Sequence, residues 1–329
     1  MGPYVNLFGD EHCPVELETV LLLPRKTEGP MASRNTAIVN ASLPILFLGA
    51  SAAIQMIASC MYLKCILDFS LIFQAFLITG GVYLLNRILD KEDKFNNLPR
   101  WMFFNKTLPR TMFWFLLAGS AIFGPVLLNV VSNRINVAIW FGVLSVIGIF
   151  YSVKLIPILM YKKGLQWISI KDIPIVKSFV VCITWGGSGL ILASAVTNVS
   201  VFRPDVLIII LTFVICNLNS TVTSDARDIT GDKLRKIYTI PVLFGEKGTL
   251  IFLILVNVLA IVVLAASGFS GLIPGNLSIF AALSVLWAGV SILPQFITKI
   301  KLSKTVMELL VDSHLMITAV GLVILSVMQ

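Results

Sequence analysis

Charge is what this chain lacks. Of its 329 residues only 13% are Asp, Glu, Lys or Arg, against about 25% in an ordinary soluble domain. Hydrophobic residues make up 57%, and mean hydropathy is +0.93. A soluble core has no room for that much apolar surface, which excludes a water-soluble globular fold. The five cysteines (Cys13, Cys60, Cys65, Cys182, Cys216) show no metal-ligand spacing. They suggest neither a zinc site nor a disulfide framework, and packing is the role expected of them. The first 34 residues hold acids, prolines and one short apolar run at 20–23, so they do not resemble a secretory signal peptide. The expected organisation is a short cytoplasmic segment, 1–34, followed by a membrane domain, 35–329.

What is abundant is long uncharged sequence. Charge is missing from residues 35–63, 111–133, 135–153, 178–202, 206–224 and 248–298. Each stretch is long enough to cross a hydrocarbon core of about 30 Å. The last is too long for one crossing at a helical rise of about 1.5 Å per residue, and Gly268-Phe-Ser-Gly-Leu-Ile-Pro-Gly275 supplies a turn within it. Two more spans carry charge near one end: 68–89, which runs into Arg87, and 305–329, which holds Glu308 and Asp312. The expected fold class is all-α, a polytopic bundle of nine transmembrane helices around a central cavity.

Lys and Arg near helix ends collect on the cytoplasmic side, and here they sort sharply. One side receives Arg25, Lys26 and Arg34; Lys91, Lys94, Arg100, Lys106 and Arg110; Lys154, Lys162, Lys163, Lys171 and Lys177; Arg227, Lys233, Arg235, Lys236 and Lys247; and Lys299, Lys301 and Lys304. The other side receives only Lys64, Arg134 and Arg203. The N-terminus and the basic loops are therefore expected in the cytoplasm, and nine crossings put the C-terminus on the opposite side. Anionic lipid headgroups account for part of this bias, so basic loops alone imply no ligand.

Two acidic stripes stand on the basic side. The second span ends Asn86-Arg-Ile-Leu-Asp90-Lys-Glu-Asp93, which lines Asn86, Asp90 and Asp93 along one helix face. The sixth ends Asp225-Ala-Arg-Asp228-Ile-Thr-Gly-Asp232, which lines up Asp225, Asp228 and Asp232 if the helix persists. Carboxylates crowded on one face repel and call for a cation. Hard oxygen donors suit Mg²⁺, which favours one or two carboxylates plus substrate phosphates. Either stripe alone is as well read as solvated charge at a helix end. Two in register on one side favour a pair of ions bridging a diphosphate. Lys154, Lys171, Lys177, Arg87, Arg227 and Lys233 lie on the same side to complement phosphate oxygens, with Tyr151 at the end of the fourth span.

These residues resemble the UbiA superfamily of intramembrane prenyltransferases, which carries an Asp-rich motif after helix two and another after helix six. DARDITGD at 225–232 followed by YTIPVLFGEKG at 238–248 matches the second motif closely. YSV at 151–153 and LQWISIKDIPIVKS ending at Ser178 look like two further family segments. The first motif departs from the family pattern. Arg87 stands where many members have Asp, and Lys94 where the last Asp is expected, so Asn86 and Asp90 carry over directly and Asp93 only by a shifted register. The resemblance implies catalytic roles for Asn86, Asp90, Asp225, Asp228, Lys171 and Tyr151, with metal held by Asn86, Asp90, Asp93, Asp225, Asp228 and Asp232. It implies Mg²⁺ as cofactor, a prenyl diphosphate and a lipophilic, aromatic acceptor as partners, and a lipid bilayer rather than nucleic acid as surroundings. Terpene cyclisation of the same diphosphate is the alternative, since divergent branches with such a first motif include cyclases. An ion-coupled transporter is disfavoured because transporter ion sites lie near the midplane.

Weaker signals remain. Phe76, Tyr83, Phe150 and Trp185 are aromatic candidates to face an allylic cation. Asp312 and His314 are ionisable groups within the last span, for which contact with a neighbouring helix is the simpler reading. Asn198-Val-Ser and Asn276-Leu-Ser fit a glycosylation pattern that is common by chance.

Overall fold

In the computed structural model the described residues are 34–89, 98–160, 164–227, 229–234, 237–297 and 304–328. The long uncharged runs become long helices: α1 (Arg34–Tyr62), α2 (Phe69–Leu89), a short α3 (Leu98–Asn105), α4 (Leu108–Val131) and α5 (Ile135–Ser152). A two-stranded antiparallel hairpin follows, β1 (Ile156–Met160) and β2 (Gly164–Ile168), and then a single 3₁₀ turn at Ile170–Asp172. The chain continues through α6 (Val176–Thr197), α7 (Pro204–Arg227), the short α8 (Ile229–Leu234), α9 (Ile240–Phe269), α10 (Gly275–Ser291), α11 (Leu293–Phe296) and α12 (Lys304–Val327).

Eight helices among the described residues are long and apolar enough to cross a membrane. The ninth span expected from the sequence corresponds to α12, of which Ser313–Val327 is the apolar stretch among the described residues. Only a helix satisfies every backbone polar group inside one segment, which is why hydrocarbon-facing sequence takes this form. The outward face of α9 fits such a solvent: Leu255 is 63% and Phe269 93% exposed, on a helix with few polar side chains to mix with them. The protein is a polytopic membrane helical bundle.

Consecutive long helices pack side by side, α12 returns to α1, and α1 also touches α6 while α12 touches α7. Close approach depends on small residues. A Cβ on Gly186 of α6 would lie 2.6 Å from the backbone nitrogen of Val214 in α7, so these two helices meet backbone to backbone. Polar side chains tie other pairs: Gln55 donates to the Gly186 carbonyl at 3.0 Å, and Asn219 and Asn257 exchange hydrogen bonds at 3.0 and 2.8 Å across α7 and α9. At one end of the bundle Tyr62 donates to Asp205 at 2.7 Å, Arg203 pairs with Asp205, and Arg134 pairs with Asp68.

Candidate active site

The opposite end gathers the residues singled out by sequence. The C-terminus of α7 delivers Asp225, α8 delivers Asp232, and the N-terminus of α6 delivers Lys177 and Ser178. Asp225 and Asp232 are 3% and 0% exposed, so their charges need partners. Lys177 Nζ lies 2.8 Å from Asp225 Oδ1 and 3.8 Å from Asp232 Oδ2. One ammonium thus bridges two carboxylates and balances half their charge. Ser178 Oγ donates to Asp225 Oδ2 at 2.6 Å, and Thr239 Oγ1 donates to Asp232 Oδ2 at 3.3 Å. Each aspartate is held by a hydroxyl on one oxygen, and Lys177 reaches both.

The segment before α6 is built to aim Lys177. Ile175 has φ 65° and ψ −36°, and the Val176 amide donates to the Pro174 carbonyl at 2.6 Å, a strained γ-turn. A β-branched residue at positive φ is unfavourable on its own and persists only where its surroundings impose it. Those surroundings are visible: the Ile175 amide donates to the Tyr238 carbonyl at 2.9 Å, and the side chain packs beside Cys182, Leu218 and Ile240. Just upstream, Asp172 accepts from the Ser169 amide at 2.9 Å and hydroxyl at 2.7 Å, which closes the 3₁₀ turn. Lys171 in that turn donates to Asn86 Oδ1 at 3.4 Å, joining it to the end of α2.

From Asn86 a cavity of about 220 Å³ runs into the bundle. Asn86, Tyr83, Val82, Thr79, Ile78 and Ala75 line it from α2, at the three- and four-residue spacing of one helix face. α1, α5, α6 and α7 complete the wall, with Leu315 of α12. Tyr151 also lines the cavity and lies within electrostatic range of Lys177, Asp225, Arg87 and Asp232, which puts the charged cluster near this end of it. Arg87 stacks 4.6 Å over the ring of Tyr83 and is hydrogen-bonded to its hydroxyl.

Of the expected site residues, Asn86, Arg87, Tyr151, Lys171, Lys177, Asp225 and Asp232 come together. Arg227 is at the same end and donates to Ser224 at 2.8 Å. Lys154 and Lys233 are exposed. Asp90, Asp93 and Asp228 lie outside the described residues, as do Cys13 and the whole 1–33 segment; the side chain of Asp312 is likewise outside them. Among the described residues no group of three or more His, Cys, Asp or Glu side chains forms a metal cluster. Of the aromatic candidates, Tyr83 and Trp185 line the cavity, whereas Phe76 packs on Gly49 and Phe150 faces outward. His314 is fully buried, and its neighbour Leu315 is the α12 residue on the cavity wall. Ser178, Thr239 and the Ser169–Asp172 turn were missed. The sequence signal for the first was its place directly after Lys177, and for the second its place in the Thr-Ile-Pro run.

A multi-pass membrane bundle with an apolar cavity capped by a buried acid and base cluster defines a class of intramembrane enzyme. The UbiA prenyltransferase family matches residues 42–303, and the chain belongs to that family. No curated protein matches it. Two solved structures share the fold. A digeranylgeranylglyceryl phosphate synthase is 15% identical with a TM-score of 0.57, covering 91% of this chain and 100% of its own. A UbiA homolog from Aeropyrum pernix K1 is 13% identical with a TM-score of 0.51, covering 86% of this chain and 98% of its own.

Proposed function

We propose that the protein transfers a prenyl group from a prenyl diphosphate to a lipophilic acceptor bearing an aromatic ring, at the cytoplasmic end of the bundle. The observation that carries this reading is the junction of a buried Asp225–Lys177–Asp232 cluster with an apolar cavity at Asn86 and Tyr151. The donor set fits Mg²⁺: two buried carboxylates and an amide oxygen are hard ligands, and the acid pair already demands a cation, which Lys177 supplies in part. Asp225, Asp232 and Asn86 would hold the metal, with Asp90, Asp93 and Asp228 from the same two motifs. When bound, Mg²⁺ neutralises diphosphate oxygens and improves the leaving group.

The chain's own residues do the rest. Lys171 and Lys177 bind diphosphate oxygens by charge-assisted hydrogen bonds. Ser178 and Thr239 fix the aspartates. The apolar wall excludes water from the allylic carbon as its bond to oxygen breaks and the electron pair leaves with diphosphate. Tyr83 and Trp185 line the cavity, where aromatic rings can stabilise the developing positive charge. The acceptor then forms the new bond at that carbon and loses a proton.

The test is purified protein in lipid nanodiscs with geranyl, farnesyl or geranylgeranyl diphosphate, with and without an aromatic acceptor. Diphosphate release should require Mg²⁺ and fall by on the order of 10²–10³ in Asp225→Asn. Turnover that survives both chelation and this substitution defeats the reading. A cyclic terpene formed without acceptor would assign the cyclase alternative instead.

A further inference from the structure

The bundle's other end carries two cysteines that the site does not use. α1 finishes in a turn where the Cys65 amide donates to the Cys60 carbonyl at 2.9 Å and the Lys64 amide to the Met61 carbonyl at 3.1 Å. Lys64 between them is left-handed, with φ 55°. This pair of bonds around a left-handed residue is a Schellman cap, which brings the residue third from the helix end against the residue second beyond it. Those two positions are normally an apolar contact. Here both are cysteine.

The cap sets Cys60, 1% exposed, beside the half-buried Cys65, and both are free thiols. The other described cysteines sit singly: Cys182 packs among apolar side chains, and Cys216 contacts the Ser284 carbonyl and Thr318. The cap also adjoins Tyr62, bonded to Asp205, and Asp68, paired with Arg134. It therefore fixes where α1 meets α7 and where α2 begins.

We propose that Cys60 and Cys65 form a disulfide that staples the C-terminal cap of α1. The Schellman geometry sets the two side chains against each other, so closing the bond to about 2.05 Å calls for side-chain rotation within the cap. The oxidant is a small-molecule disulfide of the glutathione type. The partly exposed Cys65 thiolate attacks one of its sulfurs and expels one thiolate, leaving a mixed disulfide. Cys60 loses its proton, attacks Cys65 Sγ and expels the second. Two protein thiols lose two protons and two electrons, and the oxidant's disulfide becomes two thiols. Occupancy in the cell rests on the inferred orientation, which puts this cap on the non-cytoplasmic side, where disulfides persist. The neighbouring Cys60, opposed by burial, holds the Cys65 thiol below its ordinary value, in keeping with its role as first nucleophile.

Lys64 makes the test direct. Membranes containing the full chain are denatured in detergent with N-ethylmaleimide at harvest and digested with trypsin without reductant. Trypsin cuts after Lys64, so peptides 35–64 and 65–87 stay joined only through sulfur. The expected result is a joined species that separates on adding dithiothreitol and is absent from Cys65→Ser. Separate peptides, each carrying maleimide on its cysteine, overturn the proposal, as does a joined species that persists in Cys65→Ser.

Discussion

At the residue scale, the acid pair is informative because its partners differ. Asp225 is held by Ser178 and Lys177, so removing the hydroxyl loosens the carboxylate without removing charge. Ser178→Ala should lower apparent Mg²⁺ affinity or turnover about 10–100-fold, measured by a Mg²⁺ titration of diphosphate release. An unchanged titration would show that the hydroxyl only packs. A second carboxylate, Asp68, reports on stability instead. It caps α2, accepting from the Ser70 amide at 2.9 Å and from Arg134. Burial pushes its pKa up, but these donors more than offset that and hold it below the ordinary carboxylate range. Its folded-state pKa is depressed, so its contribution is present above about pH 4 and is lost as pH falls through the lower folded value. Asp68→Asn keeps a capping oxygen and removes the charge. Thermal unfolding in nanodiscs should show wild type losing its advantage over this variant as pH drops below about 4; parallel curves would remove the pair from the account.

At the element scale, most helices were legible and the connections were not. The charge-free run 178–202 became Val176–Thr197, and 111–133 became Leu108–Val131, because absence of charge reports the bilayer's solvent directly. The turn at 268–275 fell between α9 and α10 as expected. The hairpin β1–β2 is not legible in the sequence, since Lys162 and Lys163 break the apolar pattern and hydropathy carries no information about strand pairing. The γ-turn at Ile175 was equally hidden, because nothing local in Pro-Ile-Val specifies positive φ; the Tyr238 carbonyl and the packing around it do. The site was half legible: register on a helix face predicted that Asp225 and Asp232 share a side, but not that Lys177 stands between them. α9 offers a sharper test. Gly245 within it adopts φ 68° and ψ 176°, a region open essentially to glycine alone, and its carbonyl accepts from Thr249 at 2.6 Å. No neighbouring atom lies within 4 Å of a Cβ built there, so Gly245→Ala isolates backbone strain from steric clash. It should cost about 1–3 kcal/mol, read as lowered thermal stability, with reduced activity because Thr239 and Asp232 lie just upstream. Unaltered stability would mean that this kink is not imposed.

At the scale of the whole molecule, the bundle couples a charged mouth to an apolar shaft whose length is set by which residues form its floor. On α2 the lining runs from Asn86 down to Ala75, eleven residues or about 16 Å at the helical rise. Ala75, Ala52 and Leu192 are the deepest lining positions on their helices, and Ala75 and Ala52 are 5% and 7% exposed. Small side chains at the floor leave room for the distal end of a prenyl chain, while Leu192 bounds it. Ala75→Phe should therefore shorten the usable shaft and leave Asn86 and the acid cluster untouched. A pocket change of this kind alters discrimination by about 1–3 kcal/mol, or 10–200-fold. The quantity to measure is the ratio of kcat/KM for geranylgeranyl over geranyl diphosphate, since a general loss of folded protein lowers both values and cancels in the ratio. The ratio should fall at least tenfold in Ala75→Phe. A constant ratio would place the prenyl chain elsewhere in the bundle, and the same substrates tested on Leu192→Ala, which deepens the opposite side of the floor, should then also give no gain for the longer donor.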